Sequence, residues 1–516
     1  MPKYICTILI LFIVAGCQMG KDQTVVKIFL EEVSSLYDTA RKPFYHGVAS
    51  GDPLTDRVII WTRVTPQDSL SSIQVVWEVA GNDQFDPVFK KGSLTTSALR
   101  DYTVKVDVGG LSPDSHYYYR FKALDKTSPT GRTKTLPEGN VDSLKFAVVS
   151  CSNWQFGYFN AYSRIAEKDV DVVIHLGDYI YEHGVDGYGN KNVDRKHLPA
   201  HEIVTLENYR TRYSQYHLDE GLGKMRQQHP MITIWDDHEV ANNTYVEGAE
   251  NHQPDKEGDF NTRKAAAKKA YYEWIPIRES DKHYRNFTFG NMAELIMLDE
   301  RLEGKTKPAE GISDPVYNND DRSMLGNEQL KWFQEKLKNA SATWKIIGNQ
   351  VIFSDVDRSI FNPKNPRNMD SWDGYPAEKN KIAEFIKNNN LKNIIFLTGD
   401  THASWAFEVV VNPLQNNKKN NSSIPLAIEF GTTSITSGNA NESTSADTVK
   451  LMEQAYRKAN PHLKFTNQRD HGYLLLTLYP EKAKAEWYYV ETVLRPDDTE
   501  QLARTLEVKH NSNTLH

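Results

Sequence analysis

Seven short segments in the second part of this chain have centres in which consecutive residues are apolar instead of alternating with polar ones: "LKFAVVS", "DVDVVIHL", "MITIW", "AELIML", "WKIIGNQVIF", "NIIFLT" and "PLAIEF". A strand with one wet face alternates apolar and polar residues. A strand apolar throughout is buried on both faces, as in a sheet with helices on either side. The segments "NEQLKWFQEKLKNA" and "AEKNKIAEFIKNNN" supply such helices, with apolar residues three and four apart and a polar opposite face. "GYLLLTLYPEKAKAEWYYVET" reads as an antiparallel hairpin, and residues 496–516 as a polar, frayed tail. This α/β region spans residues 144–495.

Upstream the period changes. From residue 44 to 136, "RVIIWTRV", "IQVVWEV", "YTVKVDVGGL" and "HYYYRFKAL" alternate apolar with polar residues between Gly, Pro and Asp breaks. That is a small all-β sandwich. Its stretch "GLSPDSHYYYRFKA" resembles the end of a fibronectin type III domain, where a tyrosine at a corner leads into a late strand. Residues 18–43 are polar and mixed, as in a tether, and before them Lys3 precedes the apolar run "YICTILILFIVAG". This run is too short to span a bilayer comfortably and ends in "VAGC". Residues 1–17 therefore resemble a bacterial lipoprotein signal, with Cys17 as the lipidated first residue of the mature chain. The expectation is an extracytoplasmic protein, lipid-anchored in the periplasm, the outer membrane or the cell surface.

The three cysteines then account for themselves: Cys6 leaves with the signal, Cys17 carries lipid, and Cys151 remains without a disulfide partner. A lone thiol in an oxidising compartment is a liability unless it is buried or occupied.

The residues just past the apolar runs carry the chemistry. "FAVVS" leads to Cys151; "VVIHLG" to Asp178, with Tyr181 three residues on; "MITIW" to Asp236, Asp237, His238 and Glu239; "IIFLTG" to Asp400 and His402. Ligand sites in open α/β sheets lie beyond the carboxyl ends of strands. Any one of these aspartates could be a cap or turn residue, and a single buried cysteine is usually a small hydrophobe. Four clusters of metal-ligand types at four strand ends are harder to explain that way.

These blocks also carry a resemblance. "HLGDYIYE", "WDDHE" and "TGDTHAS" are similar to the metal-binding blocks of the calcineurin-like metallophosphoesterase superfamily. "FYHGVASGDPLTDRVIIWTRV", the Cys151 block and "DSWDGYPAE" resemble, more narrowly, the alkaline phosphatase D family. The likeness runs from about Phe44 to about Glu491 with the blocks in order. It implies an αββα four-layer catalytic sandwich behind the β-sandwich domain, with ferric iron and calcium at the site. By motif, Cys151, Asp178, Tyr181 and His402 would hold iron, and Asp178 would also bridge to calcium with Asp237 and Asp400. Thiolate and phenolate favour ferric iron; carboxylates suit a hard cation. His238 would act as the catalytic histidine, contacting phosphate or protonating the leaving oxygen. Asn242 and Asn243 are possible further ligands or supports. Two departures stand out. Gln350 sits where the superfamily often has a histidine, which puts a second calcium in doubt, and "MLDERLEGK" replaces an arginine-rich stretch.

The implied function is hydrolysis of a phosphate ester outside the cytoplasm, with a metal-bound hydroxide attacking phosphorus. No nucleophile elbow or phosphate-cradling glycine loop is present in the sequence. Phosphomonoesters are the first expectation; phosphodiester or phospholipase D-like hydrolysis within the same family is the alternative. A surface-tethered, non-catalytic binding module is the rival of another class, and loss of ligand residues would be its signature. A net charge of −7 argues against nucleic acid as the main partner. No protein partner is evident. Inserts 183–230 and 303–325 are placed to frame the entrance, with "YRTRYSQYH" read as a solvated surface helix.

Overall fold

All seven apolar runs form strands, but in two sheets rather than one. The structure is a computed structural model and describes residues 32–66, 71–410 and 424–516. The signal segment, most of the tether and the Asn-rich stretch near residue 415 lie outside these.

The first sheet has nine strands in the order Glu500–Lys509, Lys482–Val490, Gly472–Leu478, Leu144–Val149, Val172–His175, Pro230–Thr233, Val48–Gly51, Arg57–Arg63 and Thr103–Gly109. The second has seven: Arg285–Phe289, Ala293–Met297, Trp344–Gly348, Ile394–Thr398, Ala427–Gly431, Ser404–Val409 and Leu463–Asn467. Each sheet is parallel at its centre, over four strands in the first and four in the second.

The alternation along each strand shows how the layers stack. Phe146, Val148, Val172, Ile174 and Ile232 pack against Leu295, Met297, Ile346, Ile395 and Phe430 of the other sheet. Their neighbours Ala147, Val149, Val173 and Met231 face helices Asn160–Ala166, Leu206–Tyr216, Glu220–Gln228 and Phe260–Trp274. On the far side Ile296, Ile347 and Phe396 face Gly326–Asn339 and Pro376–Asn388. Each run is therefore buried on both faces, but by helices on one face and the partner sheet on the other. This is the four-layer αββα arrangement. Two-sided burial, read from the sequence as helices on both faces, does not by itself distinguish these cases.

Two domain expectations change. The β-sandwich is real, with its own core around Val58, Ile60, Val75, Val104, Tyr119 and Phe121. Tyr117 Oη accepts the Ser112 amide at 2.8 Å, as a tyrosine corner should. One of its sheets, however, is continuous with the catalytic sheet, because Ser50 and Gly51 pair in parallel with Pro230 and Met231. No side chain can be added at Gly51, where a Cβ would fall 2.3 Å from the Pro276 carbonyl oxygen and 2.7 Å from that of Met231. The expected tether also shortens. Val33 is buried, and the Tyr37 ring stacks on Tyr45 with centroids 4.1 Å apart.

The polar tail is not frayed. Glu500–Lys509 pairs antiparallel with Lys482–Val490 and buries Leu506 and Val508 in the inter-sheet core. Only two large apolar side chains point inward, too few to reveal a strand by composition. Among the described residues, no helix is long and apolar enough to cross a membrane.

Candidate metal centre

The carboxyl ends of both sheets converge, and the polar blocks meet there. An isolated parallel bridge between Ser150 and Ser434 joins the two sheets beside the site. The Cys151 carbonyl accepts the amides of Thr436 and Ser437, at 3.3 and 3.2 Å.

The backbone is unusual where the ligand types sit. Cys151, Asp178, Asp400 and His402 have φ of 60°, 56°, 61° and 55°. The left-handed region costs a residue with a Cβ roughly 1–2 kcal/mol, so four such residues at one place mark a constrained, functional turn geometry. The glycine before Asp178 shows the constraint. A Cβ on Gly177, whose φ is +102°, would lie 2.3 Å from the Asp236 Cβ.

Cys151, Asp178 and His402 bring one donor atom each within 4.8 Å of one another. Asp178, Asp237 and His238 form a second such group, Asp236, Asp237 and Asp400 a third, and Glu182, His183 and His238 a fourth. Tyr181 links the first group: its hydroxyl donates to Asp178 Oδ2 at 2.9 Å, lies 3.2 Å from His402 Nε2, and accepts from Ser437 at 2.6 Å. All six residues expected as ligands, and His238, are therefore gathered in one place, with Asp178 in two of the groups.

The surroundings orient these groups. His402 Nδ1 lies 3.1 Å from the Gly438 carbonyl, an arrangement that puts the proton on Nδ1 and leaves Nε2 as a free donor atom. The Tyr188 hydroxyl sits 3.2 Å from the same Nδ1, with the two rings nearly parallel. His238 Nδ1 meets Glu182 Oε2 at 2.6 Å, so its free nitrogen is Nε2. Glu182 Oε1 accepts the Asn242 amide and the Asn251 side chain, both at 2.8 Å. Asn243 donates its backbone amide to Asp237 Oδ2 at 2.6 Å. Asn242 and Asn243 thus support the centre through their main chain. The fully buried Glu239 accepts the amides of Asp178, Tyr179 and Asp236, tying two strand-end loops together.

Electrostatics tests whether a cation fits. Burial, then the Asp178 carboxylate, raises the Cys151 thiol well above its usual range. Tyr181 is raised by the same two causes in the same order. Burial, then the neighbouring carboxylates, pushes up Asp178, Asp236 and Asp400 against the pull of His238 and Arg301. Asp237 goes the other way: burial opposes its charge, yet Arg301 and His238 hold it low, to about 2. A thiol, a phenol and three carboxyls that cannot ionise together without added positive charge fit a cation site. Asp236 Oδ2, fully buried, has no hydrogen-bond partner.

Several participants lie beyond what the sequence pattern reveals. Arg301 and Lys305, within the divergent "MLDERLEGK", both reach the acidic cluster, joined by Asp370 from "DSWDGYPAE". Nothing in their spacing announces this, since they come from loops. Gln350 is fully buried; its amide donates to the carbonyls of Trp235 and Leu298 at 3.0 and 2.8 Å. The expected surface helix in the first insert is instead core. Tyr209, Arg212, Tyr213 and Tyr216 are fully buried; the Tyr209 hydroxyl donates to the Val240 carbonyl and the Tyr216 hydroxyl accepts the Trp154 amide. Arg212 donates to the carbonyls of Tyr181, His183, Leu198 and Pro199, bracing the chain beyond Asp178.

Comparison with known proteins agrees with this architecture. Residues 146–487 match the PhoD-like phosphatase family, and residues 31–137 its N-terminal domain. Alkaline phosphatase D of Bacillus subtilis (strain 168) is 37% identical over 489 residues, 90% of this chain and 80% of that protein. A solved structure of PhoD superposes with a TM-score of 0.84 at 36% identity, covering 93% of this chain and 92% of the other. The chain belongs to the PhoD-like phosphatase family and is a metal-dependent phosphoric ester hydrolase.

Proposed function

We propose that this protein is an alkaline phosphatase acting on phosphomonoesters outside the cytoplasm, with ferric iron and calcium at its centre. The observation that carries the reading is the donor set. Cys151, Asp178, Tyr181 and His402 put a thiol, a carboxyl, a phenol and an imidazole around one point, and Asp178 is shared with the carboxyl group of Asp237. Thiolate and phenolate are strong anionic donors that favour ferric iron, while the carboxylates of Asp178, Asp237 and Asp400 suit calcium. The Bacillus subtilis relative, by name an alkaline phosphatase, points the same way.

The bound cations would neutralise phosphoryl oxygens and make a water molecule more acidic. The rest belongs to the chain. Burial works against a charge on His238, yet Glu182, followed by Asp237 and Asp178, keeps the imidazole protonated well above its ordinary range. With Nδ1 committed to Glu182, His238 Nε2 is the group that delivers a proton to the leaving alcohol oxygen. The Tyr181 ring lies against the His238 ring, tilted by 32° with centroids 4.2 Å apart, and helps hold it in place.

The lipoprotein-like segment ending at Cys17 supports anchoring at a membrane outside the cytoplasm, where charged phosphate esters that cross membranes poorly must be hydrolysed before uptake. Every expected ligand position is filled by a competent residue, which disfavours a degenerate binding module.

The test compares p-nitrophenyl phosphate with bis-p-nitrophenyl phosphate at alkaline pH, using residues 18–516 supplied with iron and calcium. A Cys151→Ala protein is the control. Faster monoester turnover that disappears in the control is the expected result. Faster diester turnover reassigns the substrate class. Equal turnover from both proteins removes the metal centre from the chemistry.

A further inference from the structure

Beside the proton-donating His238 stands a second histidine with no part in that transfer. Tyr181, Glu182 and His183 all lie against the His238 imidazole, His183 with ring centroids 5.5 Å apart. Tyr181 and Glu182 are fully buried, whereas 22% of the His183 side chain is exposed. Among the described residues its ring nitrogens find no hydrogen-bond partner, and Glu182 Oε1 stands off at 3.6 Å from Nε2.

The main chain beneath this ring is locked. The His183 carbonyl accepts from His197 Nδ1 at 2.8 Å and from Arg212 Nη1 at 3.1 Å. The Gly184 carbonyl accepts Gln155 Nε2 at 3.0 Å, and the Glu182 carbonyl accepts the Ile203 amide at 3.0 Å. A side chain fixed at its base, uncommitted at its tip and open to solvent is built to meet a ligand, because little order remains to be imposed on binding. Glu182 does not make His183 half of an ion site. It commits Oε2 to His238 and Oε1 to the Asn242 amide and the Asn251 side chain, so it serves His238.

We propose that His183 is a specificity-determining residue that hydrogen-bonds a hydroxyl on the leaving alcohol, so that the enzyme favours phosphate esters whose alcohol carries a second hydroxyl near the ester oxygen. The inference rests on the placing of His238 Nε2 at the leaving oxygen. From there the rest of the alcohol leads toward solvent, and the exposed flank of His238 is the His183 side. A neutral imidazole has one donor and one acceptor, which suits a hydroxyl that is itself both. Exposure sets the size of the preference. A buried site that pairs a substrate hydroxyl rejects the analogue lacking it by about 10⁴–10⁵, because its own polar groups are left unpaired. Water can pair the open His183, so its discrimination is that of one ordinary hydrogen bond, about 5–10-fold.

The experiment compares hydroxyethyl phosphate with propyl phosphate, which differ by a hydroxyl in place of a methyl group. Released phosphate gives kcat/KM for each, using the protein supplied with iron and calcium. The unaltered protein should favour the hydroxyl ester by at least about fivefold. His183→Phe keeps a ring against His238 without donor or acceptor, and should bring the ratio of the two to about one. A purely structural or ion-binding role for His183 predicts instead an equal loss on both esters, with the ratio unmoved. That result, a lack of preference in the unaltered protein, or a preference that survives in His183→Phe overturns the proposal. If His183→Phe fails to fold, His183→Leu is judged by the same criterion. An unaltered protein that hydrolyses neither ester nor p-nitrophenyl phosphate overturns the phosphomonoesterase reading, and this inference with it.

Discussion

Gly177 offers the sharpest test of how the fold holds this centre. It precedes Asp178, has φ +102°, and sits where a Cβ would come 2.3 Å from the Asp236 Cβ and 2.4 Å from the Asp236 nitrogen. Gly177→Ala therefore incurs two separate costs. Placing a Cβ in the left-handed region costs about 1–2 kcal/mol. Relieving the clash means moving one strand-end loop away from the other by about an ångström to reach ordinary carbon–carbon contact, and overpacking of this kind costs about 1–3 kcal/mol. The total, about 2–5 kcal/mol, is a large part of a typical stability of about 5–15 kcal/mol. The displaced loops carry Asp178 and Asp236–His238, and misplacing catalytic groups by about 1 Å can cost about a hundredfold in rate. The assay pairs kcat on p-nitrophenyl phosphate and bound iron with the thermal unfolding midpoint. Gly223→Ala is the control, because Gly223 lies in helix Glu220–Gln228 and a Cβ added there would meet nothing within 4 Å. That change should be neutral or stabilise by about 0.5–1 kcal/mol. If Gly177→Ala matches Gly223→Ala in midpoint, iron content and kcat, the argument that these two loops are packed to the limit is wrong.

Three further predictions concern charge and edges. Glu182→Gln removes the nearest charge from His238; at about 4 Å and an effective dielectric near 20 that is worth about 4 kcal/mol, or about 3 pH units. The alkaline limb of kcat/KM against pH should move toward acid, since His238 would lose its proton earlier; a uniform loss with the limb unmoved would count against the proton-donor role. His46, His217 and His283 are buried beside arginines, and burial first, then those cations, holds each well below the usual histidine range. Their folded pKa values are depressed, so below about pH 6.5 the unfolded chain takes up protons that the folded protein cannot. Stability is fully present above that pH and should fall below it by about 1.4 kcal/mol per pH unit for each of them, read from denaturant midpoints at pH 7.5 and 5.5; a midpoint that rises on acidification contradicts the assignment. Deleting residues 496–516 removes the burial of Leu506 and Val508, worth about 3–6 kcal/mol together, and bares the edge of Lys482–Val490 to self-association. Scanning calorimetry and size-exclusion chromatography should show a lower midpoint and larger species, whereas an unchanged midpoint would mean that the terminal strand contributes nothing.

Local identities were legible in the order of the residues alone. Runs of consecutive apolar residues could only be strands buried on both faces, and the helices at three-and-four spacing could only lie against them. Cys151, Asp178, Tyr181, Asp237, His238, Asp400 and His402 could be picked out because each lies just past a strand, where side-chain placement depends on a few backbone angles. Pairing and burial, by contrast, were settled in three dimensions. Which face of each strand meets helices and which meets the other sheet depends on partners remote in sequence, as Phe146 and Ala147 show by entering different cores. The sandwich strand Val48–Gly51 joins the catalytic sheet by pairing with the distant Pro230 and Met231. The terminal strand shows only two inward apolar residues and is a strand because Lys482–Val490 offers it an edge. Arg301, Lys305 and Asp370 reach the site from loops whose sequence carries no periodicity, and only the burial of charge inside the assembled fold requires them to meet.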